Sequence, residues 1–455
     1  MTVTPEIFKA YDVRGLYREQ VDEDGFERIG RAFVDVVRQN TPGVENPRVA
    51  VGHDVRLSSP SMADAFAAGA AAAGARVTEF GLAATEMVYF AVADGGFDAG
   101  AVVTASHNPP QYTGAKLVLA GAVPLSGDTG IGEVGRLATG DVPGDRPGGS
   151  RERDETLLGR FVDHCMGYVD PGAIGRQRVV LDAANGMAGV YLPPVLERLD
   201  LDAVECFLDP DGRFPHHEPN PLLPENREFI EAKVVEEKAD LGIAFDGDAD
   251  RCFFIDDTGD FVAGDFLTAL LATHLLARGG PAPIIYDLRA SWAVRDAVVA
   301  AGGTPFENRV GHAFIKRRMR EIDAVFAGEV SGHYYFREFS YADTGLIPAL
   351  LVLELLGERG AKMSELIAGF RDRYHISGEI NSTVDDAPAA IERIRARYAD
   401  GQQTTVDGLS VEYPDWHFNV RSSNTEPLLR LNLESLVSQA DMERRRDEVL
   451  ELINA

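Results

Sequence analysis

Short apolar runs recur along the chain, and each leads into a cluster of polar residues. Arg48-Val-Ala-Val-Gly52 enters His53-Asp54-Val55-Arg56, Arg178-Val-Val-Leu181 enters Asp182-Ala-Ala-Asn185-Gly186, and Pro283-Ile-Ile-Tyr286 enters Asp287-Leu-Arg289. A helix-like segment rich in Ala, Leu and Val follows each. A second apolar run then ends in polar residues: Ala99 to Ala105 before Ser106, Leu241 to Phe245 before Asp246, and Ala324 to Ala327 before Gly328-Glu329. Runs this short, alternating with helical segments, predict βαβ units and largely parallel sheets. The threefold echo predicts three similar α/β domains. Ligands of such sheets gather beyond the carboxyl ends of the strands. The polar clusters fall there, so three functional loops are expected to face one cleft.

The pattern changes near residue 370. A strand is predicted near Gly378 to Val384, a helix over Pro388 to Tyr398, strands near Leu409 to Tyr413, Trp416 to Arg421 and Leu428 to Leu433, and a charged helix from Gln439. That is a smaller α+β domain. Turn-rich Thr139 to Gly149 reads as a linker or surface loop, and Asp256 to Asp260 as a hairpin turn between the second and third units. The expected domains are therefore 1–148, 149–256, 257–369 and 370–455. The 455 residues allow three or four domains and several cores.

Charge narrows the partners. Lys and Arg total 44 against 72 Asp and Glu, a net of −28. This argues against nonspecific nucleic-acid binding, which needs clustered cations, and against anionic membranes. An anionic substrate would need a local basic pocket. Arg outnumbers Lys 38 to six, and its planar fork suits phosphate. Cys165, Cys206 and Cys252 are far apart, with no CxxC, as expected of a reducing compartment. The first residues do not read as a signal peptide, and the longest apolar runs, Ala65 to Ala75 and Leu346 to Leu356, are too short to span a bilayer. The expected location is the cytoplasm.

Four segments carry chemistry. Thr104-Ala-Ser106-His107-Asn108-Pro109-Pro110 places a hydroxyl on a rigid turn after a strand. Ser106 suits acyl transfer or phosphate, but no GxSxG elbow is present, and His107, its neighbour in sequence, is poorly placed as the in-line base of a hydrolase triad. Asp246-Gly-Asp248-Ala-Asp250-Arg251 spaces three carboxylates at alternate positions, so an extended loop would aim them to one side. Such hard oxygen ligands suit Mg²⁺ or Ca²⁺. An EF-hand is excluded by Arg251 at the position that needs glycine. Gly328-Glu329-Val-Ser331-Gly332-His333 suits a polyhydroxylated ligand. Arg421-Ser-Ser423-Asn424-Thr425-Glu-Pro427, with Arg430 beyond, is a ready phosphate cradle.

These motifs, in this order and spanning essentially the whole chain from Tyr11-Asp12-Val13-Arg14-Gly15 to Arg421–Pro427, resemble the α-D-phosphohexomutase superfamily, and within it the bacterial phosphomannomutase/phosphoglucomutase group. The resemblance implies a four-domain, heart-shaped molecule. It implies that Ser106 is the phosphoserine and that Asp246, Asp248 and Asp250 bind Mg²⁺ with the Ser106 phosphate. Glu329 and Ser331 would read sugar hydroxyls, and Arg421, Ser423, Asn424 and Thr425 would hold the phosphate that is not reacting. Tyr11, Arg14, His107, Lys116, Arg251, Arg289, His312, His333 and Arg430 match further site positions. Two departures stand out: Arg309-Val310-Gly311-His312 replaces a common Lys-Thr-Gly-His, and the family often has a Lys near Arg289.

The implied ligands are hexose phosphates, and the chain is expected to be a monomer or dimer. The implied reaction interconverts mannose 6-phosphate and mannose 1-phosphate, the precursor of GDP-mannose, through a bound 1,6-bisphosphate. Lys116, with its pKa lowered by neighbouring cations, or else His333, would take the attacking hydroxyl's proton. Alternatives are a phosphoglucomutase or dual-specificity mutase, a phosphoglucosamine mutase (opposed by Val330 and Asn424), a phosphohydrolase, and a silent sugar-phosphate binding protein.

Overall fold

Helix Glu23–Asn40 illustrates how local pattern becomes structure. Phe26, Ile29, Phe33, Val36 and Val37 recur at helical spacing and are all buried. The Asp22 side chain caps the helix by accepting from the Gly25 amide at 3.0 Å. A computed structural model describes residues 3–127, 129–422 and 428–455. The chain divides into two compact units, one of Met1–Phe261 with Gly332–Lys362, the other of Val262–Ser331 with Met363–Ala455.

The first unit holds two mixed sheets. In one, Ala99–Val103 lies parallel to Arg48–His53 and antiparallel to Tyr112–Leu119. In the other, Leu241–Phe245 lies parallel to Arg178–Asp182 and antiparallel to Cys252–Asp256. These two strands are equivalent, and they lead to Ser106 and Asp246 respectively. Strand Ser150–Arg153 pairs with Arg76–Leu82, so the first sheet runs past the expected boundary at 148/149. The Asp256–Asp260 segment is a hairpin turn, as expected. It joins two strands of the second sheet, Cys252–Asp256 and Phe261–Val262, rather than two domains. The Asp256 carboxylate accepts from the Thr258 and Asp260 amides.

The second unit carries a parallel layer in which Pro283–Asp287 is flanked by Thr304–Asn308 and Phe326–Gly328. Glu329 follows the last of these. The unit also carries the smaller α+β domain. Its antiparallel sheet includes Leu409–Glu412, Trp416–Ser422 and Leu428–Ser435, packed against helices Ala387–Arg397 and Gln439–Asn454 through Ile394, Trp416, Phe418, Leu431 and Val449. The predicted change of pattern near residue 370 is the start of this sheet, at His375. The apolar run at Leu346 is the buried helix Leu346–Arg359. Among the described residues, no helix is long and apolar enough to cross a membrane.

Candidate active site

Ser106 leaves its strand in the left-handed region, with φ of 50°, a conformation that costs a non-glycine residue about 1 kcal/mol or more. The loop around it holds that shape. The Ser106 amide donates to Thr104 Oγ1 at 2.9 Å. The fully buried Arg56 donates to the carbonyls of Ser106 (2.8 Å), Asn108 (2.6 Å) and Pro109 (2.8 Å) and to Asp54 Oδ2 (3.1 Å). Arg56 lies in the polar cluster after the Arg48 strand, but its sequence position gave no hint that it would clasp a loop about 50 residues away. Arg56→Met is expected to leave the Ser106 and Asn108 carbonyls and Asp54 Oδ2 without their side-chain donor. A loss of about 3–5 kcal/mol, read as a lowered denaturation midpoint with a parallel loss of activity, is the anticipated result. A variant as stable as the wild type would remove Arg56 from this role.

The positive φ also decides where His107 points. His107, adjacent in sequence, was expected to be a poor in-line base for a hydrolase triad yet to belong to the site. The left-handed turn brings its Nδ1 to 3.1 Å from Ser106 Oγ. Burial, with Arg251 and Arg14 nearby, pushes the His107 pKa well down and keeps the ring neutral. Ser106 Oγ also lies 3.2 Å from Asp246 Oδ2. Its single proton can serve only one of these acceptors at a time.

The three carboxylates converge, though not through an extended loop. Residues 246–250 form a tight turn, with the Ala249 amide bonded to the Asp246 carbonyl at 3.1 Å and Ala249 at φ of 63°. The turn gathers Asp246, Asp248 and Asp250 so that one oxygen from each lies within 4.8 Å of the others. Gly247 lets the turn approach the serine loop, because a Cβ there would stand 2.5 Å from the Ser106 carbonyl oxygen. Arg251 Nε donates to Asp246 Oδ2 at 2.9 Å. Thr85 Oγ1 and Lys116 Nζ lie 2.5 and 2.7 Å from Asp248 Oδ2, and Lys116 also bonds Asp250. Asp248 Oδ1 is buried with no hydrogen-bond partner among the described residues.

Burial and the two neighbouring carboxylates raise Asp246 to about 7, against the pull of Arg251 and Lys116. Asp248 is held low by Lys116 and Thr85 despite its burial. Three buried carboxylates facing two side-chain cations, with an unsatisfied oxygen, fit a small divalent ion. Lys116 departs from expectation. Burial pulls its pKa down, but Asp248 and Asp250 outweigh this and raise it well above the usual value. It is held as an ammonium and is a poor proton acceptor.

Of the other expected residues in the first unit, Arg14 Nη1 donates to Asn108 Oδ1 at 2.6 Å, and its buried Nε has no partner among the described residues. Tyr11 lies half-buried in the loop entering Val13–Leu16. His333 Nε2 lies 3.7 Å from Asp250 Oδ1 and 3.9 Å from Asp343 Oδ2.

In the second unit, Glu329 is buried, and its Oε1 accepts from the Gly311 amide at 2.9 Å. The loop carrying Glu329 is thereby tied to Arg309–His312. His312 starts helix His312–Ile322, and Ser331 is half-buried. Of the two residues that depart from the family pattern, Arg309 lies over the Phe314 ring at 3.8 Å. Arg289 binds Asp287 through two donors at 2.9 and 2.8 Å. Arg289, Arg421 and Arg430 then converge on Glu379, at 3.1, 2.9 and 3.4 Å. Sequence reading did not single out Glu379. Ser423, Asn424 and Thr425 lie outside the described residues.

The comparisons agree along the whole chain. Models of the phosphoglucomutase/phosphomannomutase family match at residues 5–134 (alpha/beta/alpha domain I), 160–259 (domain II), 263–374 (domain III) and 379–452 (C-terminal domain). The chain is 44% identical over 458 residues to a phosphomannomutase of Salmonella montevideo, covering 98% of this chain and 99% of the relative. It is 42% identical over 453 residues to phosphohexose mutases of Xanthomonas campestris pv. campestris, covering 99% and 100%. The crystal structure of a phosphoglucomutase/phosphomannomutase family protein from Burkholderia thailandensis superposes with a TM-score of 0.89 at 35% identity, over 99% of this chain and 98% of that one. With three α/β domains, a smaller C-terminal domain and full-length similarity, the chain belongs to the phosphoglucomutase/phosphomannomutase family.

Proposed function

We propose that this protein is a phosphomannomutase that interconverts mannose 6-phosphate and mannose 1-phosphate, with Ser106 as the phosphate carrier. The carrying observation is the Ser106 hydroxyl, held by a strained turn between a neutral His107 and a buried carboxylate triad. Similarity to phosphomannomutases over nearly the full chain supports the choice of sugar. Four domains, the first extending past Arg153, the second past the Asp256–Asp260 hairpin and the fourth starting near residue 370, accommodate the same reading. The chain acts in the cytoplasm, as a monomer or dimer, and its product mannose 1-phosphate supplies GDP-mannose formation.

Turnover starts from phosphorylated Ser106. The sugar's free hydroxyl attacks the phosphorus in line, the bond from phosphorus to Ser106 Oγ breaks, and a 1,6-bisphosphate forms. Asp246, Asp248 and Asp250 would hold Mg²⁺, which when bound supplies charge neutralisation at the transferring phosphoryl group. His333 takes the proton of the attacking hydroxyl, since Lys116 is already an ammonium. Arg14, whose Nε is unpartnered among the described residues, and Arg251 face the phosphate carried on Ser106. The bisphosphate then turns end for end. Ser106 Oγ, reprotonated through His107 on its release, attacks the other phosphorus and returns that proton to His107 Nδ1. The bond from that phosphorus to the sugar oxygen breaks, and the oxygen takes back the proton held on His333. In the second unit Glu329, Ser331 and His312 read the sugar, while Arg289, Arg421, Arg430 and the segment Ser423–Thr425 hold the distal phosphate.

A coupled assay with mannose 1-phosphate and glucose 1-phosphate in parallel tests the substrate. Mannose 1-phosphate is expected to be used at least as well. Mannose turnover near background beside strong glucose turnover would overturn the sugar assignment and leave the chemistry standing.

A further inference from the structure

We infer that Glu379 sets the phosphate affinity of the second unit's arginine cluster, gathering Arg289, Arg421 and Arg430 into one basket and offsetting enough of their charge that a sugar phosphate can be released. The inference rests on the proposed mutase reading, which assigns that cluster to the distal phosphate. It adds a residue and a direction of effect.

The three arginines come from segments 90, 42 and 51 residues away from Glu379 in sequence. Without an anion among them, three guanidiniums would push apart. Glu379 supplies the anion from the short turn between strands His375–Ile376 and Ile380–Thr383. Gly378, at φ of 66°, makes that turn. Both Glu379 oxygens are used, Oε2 for Arg289 and Arg421 and Oε1 for Arg430. Burial pushes the Glu379 carboxyl up, but Arg289, Arg421 and Arg430 outweigh it and hold it down to about 2. It is a permanent anion at any physiological pH.

A purely structural ion pair would leave its donors satisfied. Here Arg421 is 5% exposed, and its Nε is buried with no hydrogen-bond partner among the described residues. Asp287 already occupies two donors of Arg289. Among the described residues, the hydrogen-bonded ion pairs of the basket set three cations against two carboxylates, and the Arg421 Nε donor is left over. An incoming phosphate meets an assembled set of donors, so little side-chain ordering remains to be done on binding. It also meets the Glu379 charge, which weakens its hold. A mutase benefits from that compromise. The bisphosphate must leave the basket by one phosphate and return by the other, and tight binding of both ends would lower KM and kcat together.

The test uses the full-length enzyme, calorimetric titration with inorganic phosphate, and steady-state kinetics with mannose 1-phosphate. Glu379→Gln keeps the size of the side chain and an acceptor oxygen but removes the charge. It should bind phosphate about tenfold more tightly, with a lower KM and a kcat reduced by about threefold or more. Glu379→Asp keeps the charge and should stay within about threefold of wild type in affinity. Arg421→Ala should weaken phosphate binding about tenfold, which identifies the titrated site as this basket. If Arg421→Ala weakens binding while Glu379→Gln leaves it unchanged or also weakens it, the inference is wrong and the cradle stands. A Glu379→Asp variant that binds as tightly as expected for Glu379→Gln also overturns it. If Arg421→Ala has no effect, the cradle is misplaced and the inference falls with it.

Discussion

Ser106→Ala should stop turnover, with kcat falling by about 10⁴-fold or more. The Ser106 hydroxyl stands 3.1 Å from a neutral imidazole and 3.2 Å from a buried carboxylate. The reaction needs a carrier that gives phosphate to one end of a sugar and takes it from the other. Alanine also tolerates the left-handed φ no worse than serine, so the loop held by Arg56 should persist and the loss should be chemical rather than structural. Intact-mass measurement adds a second readout. Part of the wild-type protein should carry one phosphate and the variant none. Turnover close to wild type in purified Ser106→Ala, free of contaminating mutase, would eliminate the phosphoserine mechanism. A phosphorylated Ser106→Ala protein would place the carrier elsewhere.

Metal removal should be nearly as damaging. Chelation is expected to abolish activity and added Mg²⁺ to restore it, while Asp248→Ala should lose about 100-fold or more at any practical Mg²⁺ concentration. The basis is Asp248 Oδ1, buried and unpartnered among the described residues beside two further carboxylates. The readout need not be activity. An ion that binds only the folded protein raises its stability, by about 2.7 kcal/mol at a concentration 100 times its dissociation constant. Wild type should therefore melt at a higher temperature with Mg²⁺ than without it, and Asp248→Ala should lose that difference. Equal stabilisation of both proteins would put the ion at another site, and full activity after thorough demetallation would remove it from the reaction.

Much of this was legible along the chain because the informative features are local. The Leu241–Phe245 strand reads directly from its apolar run, and the loops at Ser106, Asp246 and Glu329 fall at strand ends because parallel sheets place them there. What stayed hidden depends on backbone turns or on distant partners. Alternating aspartates suggested an extended loop, whereas the carboxylates converge through a turn with Ala249 at positive φ. The approach of His107 to Ser106 follows from one dihedral that no composition signals. Lys116 looked like a base until its partners Asp248 and Asp250, more than 130 residues away, were in place. Glu379 carries no motif at all, and Arg56 sits in a polar cluster that does not signal its partners; the importance of both lies in what tertiary structure brings to them.

The order of the chain through its two units has a consequence for synthesis. The first unit is interrupted: it breaks at Phe261, resumes at Gly332 and ends at Lys362. Its last element is the helix Leu346–Arg359, whose residues Leu346 to Leu356 are all buried. Gln177 donates to the Leu353 carbonyl at 2.8 Å, and the Glu354 carboxylate accepts from the Asp170 amide at 2.7 Å. A ribosome that has made the first 261 residues has therefore released a unit still missing one wall. The apolar surface meant for that helix stays uncovered while the next 70 residues, which belong to the other unit, are translated. At about 5–20 residues per second, this leaves several seconds in which the nascent chain offers an adhesive face to chaperones or to its neighbours. The interruption of the first unit thus makes yield in the cell a matter of timing as well as of final stability.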